Sequence, residues 1–320
     1  MLDVTRKAAG LWSMTSKPEL VACRENTVFK VACEKGRFHA LRLHRPGYRS
    51  DEEVASELDW MEGLQTAGLT VPRPIPSRNG RLLEHVDGLQ ADILTWVAGE
   101  PMGQSGQPLQ LADRLGVFRR LGETMARLHS ACDAWAPPAG FQRWAWDADG
   151  LVGEQPVWAR FWENPHLNAR QAELLVDARR RAAEDLAHVS GALDYGLIHA
   201  DLVPANILVD GDRLILIDFD DGGFGFRLFD LATIAWANRH EDDIADLEQS
   251  LIAGYRQVRN IDPAWLPLFK LLRAFTYVGW IIPRMDEPGG RERCARFIEA
   301  AEDWARNYLE TQDLSTAEGF

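Results

Sequence analysis

The chain is short of basic residues: 35 Lys and Arg stand against 48 Asp and Glu, a formal charge of -13. Affinity for a phosphate backbone rests on clustered Lys and Arg, so this balance speaks against a nucleic-acid partner. Cysteine is scarce as well. Cys23, Cys33, Cys132 and Cys294 show no C-x-x-C spacing and no adjoining His pattern, which speaks against a zinc site or a disulfide framework and fits reduced thiols in a cytoplasm. Long apolar runs are missing too. The amino terminus, MLDVTRKAAGLWSMTSK, lacks the apolar core of a signal peptide, and the most apolar later stretch, 264–282, carries Lys270 and Arg273 and reads as a buried helix, with no membrane partner implied. No internal repeat or low-complexity tract occurs.

What is present suffices for a sizeable core: 320 residues, 46% hydrophobic and 26% charged. The most informative stretch runs from His199 to Asp230. Two apolar runs, 207–209 and 214–217, flank Asp210-Gly211-Asp212-Arg213, turn chemistry of the kind that closes a β-hairpin. A loop at Gly211-Asp212 sets Val209 opposite Leu214 and Ile207 opposite Leu216. Asn206 then falls opposite Ile217, with Asp218 beside it at the open end. Asp201 precedes Asn206 by five positions on a loop broken by Pro204, so three polar side chains can converge.

Such a cluster suits phosphoryl transfer, which asks the protein mainly for positioning and charge neutralisation. A carboxylate can orient an attacking hydroxyl and accept its proton, while an Asn oxygen and a second carboxylate can hold Mg2+ on nucleotide phosphates. The spacing D-x-x-x-x-N, followed by hydrophobic-Asp-Phe, repeats the catalytic-loop and metal-site pattern of protein kinases. On these residues the sequence resembles the aminoglycoside phosphotransferase and choline kinase family, nearest to its homoserine kinase and bacterial stress-response kinase branches. That family's loop usually reads H-G-D-x-x-x-x-N, and His199-Ala200-Asp201 departs from it by one Ala for Gly. The resemblance implies an α+β, two-lobe kinase-like fold: a small antiparallel-sheet lobe over 1–98 ending in a hinge, and a helical lobe over 99–320 with a substrate insertion at about 135–190. It also implies ATP and Mg2+ as cofactors.

The earlier chain is read against that expectation. Strands are predicted at 20–23, 28–32 and 38–44. The turn Arg24-Glu25-Asn26-Thr27 lacks the glycines of a kinase phosphate loop, and backbone N–H groups near Asn26 and Thr27 are expected to face phosphate oxygens in their stead. Arg42 falls where a kinase third strand carries its phosphate-pairing Lys; arginine keeps the charge with different reach. A helix opening at Ser50, with Asp51-Glu52-Glu53 in its first turn, offers Glu57 as the partner of Arg42 and Glu53 as the alternative. Further strands are expected at 82–85 and 91–97, and Thr95, Trp96 and Val97 are the expected adenine contacts of the hinge.

Beyond Gly99 the pattern turns helical, with Leu111, Leu115, Phe118, Met125 and Leu128 on one apolar face and His129 as a structural residue at its end. Trp144, Trp146, Trp158, Phe161 and Trp162 fall in the insertion, where they either pack or line an acceptor pocket. Only twelve positions separate Asp218 from Asp230, with no A-P-E signature, which speaks against an activation segment of the eukaryotic kind. Asp230 is expected to begin a helix and brace the catalytic loop. Asp220 and Asp221 put acid near the acceptor side and point to a cationic or amine-bearing acceptor. The leading function is an ATP-dependent kinase for a small-molecule hydroxyl such as an amino alcohol, homoserine, a choline-like compound, a sugar or an aminoglycoside. A stress-response type Ser/Thr protein kinase with a protein acceptor, and a nucleotide-binding protein without catalysis, are the alternatives.

Overall fold

The computed structural model describes residues 2–104 and 106–317. Its elements in order are α1 (Leu2–Leu11), β1 (Glu19–Cys23), β2 (Asn26–Ala32), β3 (Phe38–His44), α2 (Asp51–Thr66), β4 (Glu84–Val86), β5 (Leu89–Thr95), β6 (Glu100–Pro101) and α3 (Arg114–Ala134). There follow β7 (Ala145–Trp146), α4 (Ala148–Val152), α5 (Ala169–Val189), β8 (Tyr195–Ile198), β9 (Ile207–Asp210), β10 (Arg213–Leu216), β11 (Gly223–Phe226), α6 (Arg227–Ala237), α7 (Ile244–Tyr255), α8 (Leu266–Trp280) and α9 (Gly290–Ala317). The fold is α+β. No helix among the described residues is long and apolar enough to cross a membrane.

The chain divides into two compact units. The first takes residues through Met102 together with 130–143 and 206–220; the second takes 103–129, 144–205 and the residues from Asp221 onward. The first unit holds a five-stranded antiparallel sheet ordered β1-β2-β3-β5-β4. Side chains alternate across a strand, so Leu41 and Leu43 of β3 and Ala91 and Ile93 of β5 share one face. They pack there with Phe29, Val31, Ala8, Ala9 and Trp12. The supporting helix α1, not anticipated from sequence, is thus part of this core. Arg42, His44 and Asp92 fall on the opposite face.

Strand β5 begins at Leu89, two residues before the expected start, because Asp87 and Gly88 both take positive φ (50° and 83°) and close a two-residue hairpin with β4. Trp96 and Val97 lie past its end.

The same unit holds the sheet β10-β9-β6. Its hairpin pairs Arg213 with Asp210, Leu214 with Val209, and Leu216 with Ile207, the register expected from the loop at Gly211-Asp212. Gly211 has φ +59°, a conformation glycine adopts without penalty. Helix α2 begins with a capping box: Ser50 Oγ accepts from Glu53 N at 3.2 Å, and Ser50 N donates to Glu53 Oε2 at 2.8 Å. Its Trp60 lies edge-on to Phe219 at 5.1 Å and donates from Nε1 to Cys132 Sγ.

The second unit is mainly helical, with the small sheet β7-β11-β8. Most insertion aromatics pack: Trp146 stacks on Phe229 (5.3 Å) and Phe161 on Phe275 (4.2 Å), all four buried. The glycines after Asp221 serve close approach in this sheet, since a Cβ at Gly223 would lie 2.5 Å from Trp144 O and one at Gly225 2.5 Å from Ile198 Cδ1. Helix α6 begins at Arg227, so Asp230 falls inside its first turn and does not open it.

Candidate active site

The charged face of β3 and β5 is built by register. Arg42 is opposite Asp92, and alternation puts His44 on the same face. Arg42 Nε and Nη2 donate to the two Asp92 oxygens at 2.9 Å each, and Nη1 donates to Glu57 Oε1 at 2.7 Å. His44 Nε2 lies 2.6 Å from Asp92 Oδ2. Glu57, one of the two acids considered, is the partner of Arg42. Glu53 is committed to the capping box of its own helix.

All four residues are buried. Burial drives the Asp92 carboxyl up, but the Arg42 guanidinium and His44 overcome it and hold it down at about 2. Glu57 follows the same logic: burial opposes its charge, and Arg42 with Arg143 keeps it ionised.

Arg143 was not legible as a site residue. Its Nη1 donates to Glu53 O at 3.1 Å and lies 4.0 Å from Glu57 Oε2, while Nη2 donates to Phe219 O at 3.1 Å and also to Asp220 O. One guanidinium therefore ties α2 to the segment carrying Asp218. Asp220 is buried in the same unit, its carboxylate 3.7 Å from Arg49 Nε, and burial pushes its carboxyl up. The acidity that Asp220 was expected to supply to an acceptor is thus directed at the arginines of the first unit. Its neighbour Asp221 lies in the second.

Asn206 and Asp218 come together at the open end of the β9–β10 hairpin, where Ile217 N donates to Asn206 O at 3.0 Å. Asn206 is 5% exposed, and Asp218 is exposed with φ +67°. One carboxylate and one amide oxygen are hard donors. They fit Mg2+, which usually takes one or two carboxylates and completes its shell with phosphate oxygens and water. No group of three or more His, Cys, Asp or Glu able to hold a metal occurs among the described residues, so a closed all-protein cage is not the pattern here.

Asn26 and Thr27 are strand residues, paired with His44 and Leu43, and the turn before them is Arg24-Glu25. At the end of β5, Thr95 N donates to Arg73 O at 2.8 Å and Trp96 N to Phe38 O at 3.3 Å. Two of the three expected adenine contacts, Thr95 and Trp96, thus have their N–H groups spent on the first unit's own backbone, while Val97 follows outside the strand.

In the second unit Asp201 follows Ala200, whose φ is +63°. Buried Asp230 secures that turn by accepting from His199 N at 2.9 Å and Ala200 N at 2.7 Å. Behind it, His129 places Nε2 3.0 Å from Asp230 Oδ2 and Nδ1 2.8 Å from Tyr255 Oη. Burial lowers the His129 pKa, with Asp230 opposing. The neutral ring donates to the carboxylate and accepts from the phenol.

The Asp201 carboxylate meets Arg273 of α8, whose Nη2 donates to Oδ1 at 2.9 Å and to Tyr277 Oη at 2.7 Å. The charge at 273 was visible in the sequence only as an interruption of an apolar stretch.

The model of a phosphotransferase enzyme family matches residues 21–309. Among curated proteins, the chain is similar to amicoumacin kinase of Bacillus subtilis (strain 168), 28% identical over 83% of this chain and 80% of that one. It is similar also to homoserine kinase of Allorhizobium ampelinum, 27% identical over 82% and 77%. Among solved structures, a microcompartment-associated aminopropanol kinase superposes with TM-score 0.85 at 29% identity, covering 97% of this chain and 98% of that one. An amicoumacin kinase structure in complex with AMP-PNP, Ca2+ and Ami superposes with TM-score 0.76 at 22% identity over 94% and 92%, a likeness of fold.

Proposed function

This chain belongs to the phosphotransferase enzyme family, and from that premise we propose that it transfers the γ-phosphate of ATP to a hydroxyl of a small molecule, with Asp201 addressing the hydroxyl. The observation that carries the reading is the Asp201-to-Asp230 constellation. Asp201 is set on a loop braced by Asp230, and Asn206 and Asp218 are set at one hairpin end.

In the reaction the acceptor oxygen bonds to the γ-phosphorus as the bond from that phosphorus to the ADP oxygen breaks. Charge spreads over the equatorial oxygens, and little covalent work falls to the protein. Asp201 orients the hydroxyl and takes its proton as the new bond forms. Asn206 and Asp218 would hold Mg2+, which neutralises phosphate charge when bound. Arg42 faces the same charge, steadied by Glu57 and Asp92. Asn26 and Thr27 present the β1–β2 edge to the phosphates, while Thr95, Trp96 and Val97 form the adenine edge, with the Val97 N–H as the donor. Residues through about 98 make up the nucleotide-binding lobe of this reading.

Four cysteines outside any disulfide, with ATP as donor, support a cytoplasmic location. The relatives named above act on amicoumacin, homoserine and aminopropanol, and an amine-bearing alcohol is the acceptor class they share in support. For this chain we assign Asp221, an acidic residue of the second unit, to meet such an amine.

The test is Mg2+-dependent ADP release across a panel of amino alcohols, hydroxy amino acids, sugars and aminoglycosides, with one generic protein substrate. Asp201→Asn is run beside it. Release that requires a small acceptor and falls about 10²–10⁴-fold in the variant supports the reading. Release only with the protein would replace it, and ATP binding with no turnover on any acceptor would reduce the chain to a nucleotide-binding protein.

A further inference from the structure

The Asp201 carboxylate has a partner from a helix 72 residues further along the chain. Arg273 is fully buried, whereas the Asp201 side chain is 25% exposed. The guanidinium is enclosed by aromatic faces: Tyr277 at 4.3 Å, Trp158 at 5.3 Å and Phe229 at 5.4 Å from its carbon. Arg273 and Tyr277 are four residues apart, so they share one side of α8, and the phenol accepts a second hydrogen bond from the same Nη2. Burial pushes the Tyr277 phenol up to about 12, so it stays neutral.

This is an expensive arrangement for the fold. Arg273 Nε and Nη1 are buried with no hydrogen-bond partner, and an apolar residue of similar volume in such a position is often neutral or stabilising. The gain from retaining the cation therefore lies elsewhere: among the described residues it donates to the Asp201 carboxylate, and the charge of Asp221 acts on it as well.

We propose that Arg273 is the positioning residue of the Asp201 carboxylate, holding it from the rigid α8 helix in the orientation that meets the acceptor hydroxyl. The inference rests on the reading of Asp201 given above. Two anchors then act on the same residue from different directions: Asp230 sets the backbone before Asp201, and Arg273 holds the carboxylate by its Oδ1. Planar guanidinium donors enclosed by rings have little freedom, which an ammonium on a flexible stem does not reproduce. A misplacement of about 1 Å at a reacting group costs on the order of 10²-fold in rate, so a fixed carboxylate is worth such an anchor.

Arg273→Met should lower kcat about 10–100-fold while leaving the KM values for nucleotide and acceptor within about twofold. Arg273→Lys should recover part of that loss. A double-mutant cycle separates positioning from general damage: in the Asp201→Asn background, Arg273→Met should cost almost nothing further.

A second readout needs no acceptor. In protein labelled with 13C at the aspartate carboxyls, the Asp201 signal, assigned by its loss in Asp201→Asn, should move and broaden in Arg273→Met. If that variant fails to fold, Arg273→Lys serves in both experiments. An unmoved Asp201 signal would overturn the inference, as would a kcat loss of equal size in both backgrounds or a loss confined to KM. Absence of turnover in the wild-type chain with every acceptor would instead count against the kinase reading, and the carboxyl signal would still decide the role of Arg273.

Discussion

Arg42 and Asp92 face each other across β3 and β5 and share two hydrogen bonds of 2.9 Å in a setting closed to solvent. Arg42→Ala would leave Asp92 and Glu57 buried without their main cation. Such a break costs about 3–5 kcal/mol, so a large fall in the urea midpoint is expected. Arg42→Lys keeps the charge but cannot span both carboxylates, and its loss should be smaller. If Arg42 also steadies the phosphates, both variants should show weaker stabilisation by nucleotide than wild type.

Acid should weaken the fold in a defined window. A carboxyl whose native pKa is depressed contributes stability that is complete above its unfolded value and lost as pH falls through the native one. For Asp92, moved from 3.8 to about 2, this amounts to about 2 kcal/mol, lost between about pH 4 and pH 2. Asp230 is likewise held low, burial being overcome by His129 and His199, and adds loss in the same direction. His129 has a lowered pKa, so its unfolded form takes up a proton first, and stability declines as pH falls below about 6.5. Urea titrations at pH 7, 5 and 3 should show a progressive fall, and Asp92→Asn should flatten the most acidic part of the curve.

Ala200→Gly should stabilise the chain. The left-handed conformation at φ +63° costs an L-residue about 1–2 kcal/mol and costs glycine nothing comparable. Glycine's greater freedom in the unfolded chain offsets part of this, leaving a gain of about 0.5–1 kcal/mol in thermal or urea unfolding. A loss would show that the Ala200 methyl contributes packing exceeding the backbone strain.

Arg143→Ala should act through the Asp218 segment. Removing the guanidinium releases the carbonyls of Phe219 and Asp220 from α2 and takes one cation from Glu57. The expected result is a higher Mg2+ requirement and a higher KM for ATP, with the KM of the acceptor near wild type. A change confined to thermal stability would reduce Arg143 to a fold residue.

Much of the first unit was legible because its signals are local. The hairpin register followed from Gly211-Asp212, and the start of α2 from Ser50 with Glu53 three residues on. The capping box also explains why Glu53 is not the Arg42 partner, a decision already implicit in sequence. The starting point of β5 was encoded by Asp87-Gly88 but lost among neighbouring apolar residues. The helix α1 is only ten residues long, and its role becomes visible only when Ala8, Ala9 and Trp12 meet the sheet.

The sequence by itself determined the family, the order Asp201, Asn206, Asp218, Asp230, and the hairpin that brings two of these together, because short-range turns and strand alternation act over a few residues. Tertiary structure alone decided which charges meet. Asp92 reaches Arg42 from 50 residues away, Arg143 reaches the Phe219 carbonyl from 76, and Arg273 reaches Asp201 from 72. Each is a single polar residue whose partner is chosen by the packing of whole elements, and no periodicity within its own segment records that choice. Burial makes those pairs strong, and burial is a property of the assembled fold.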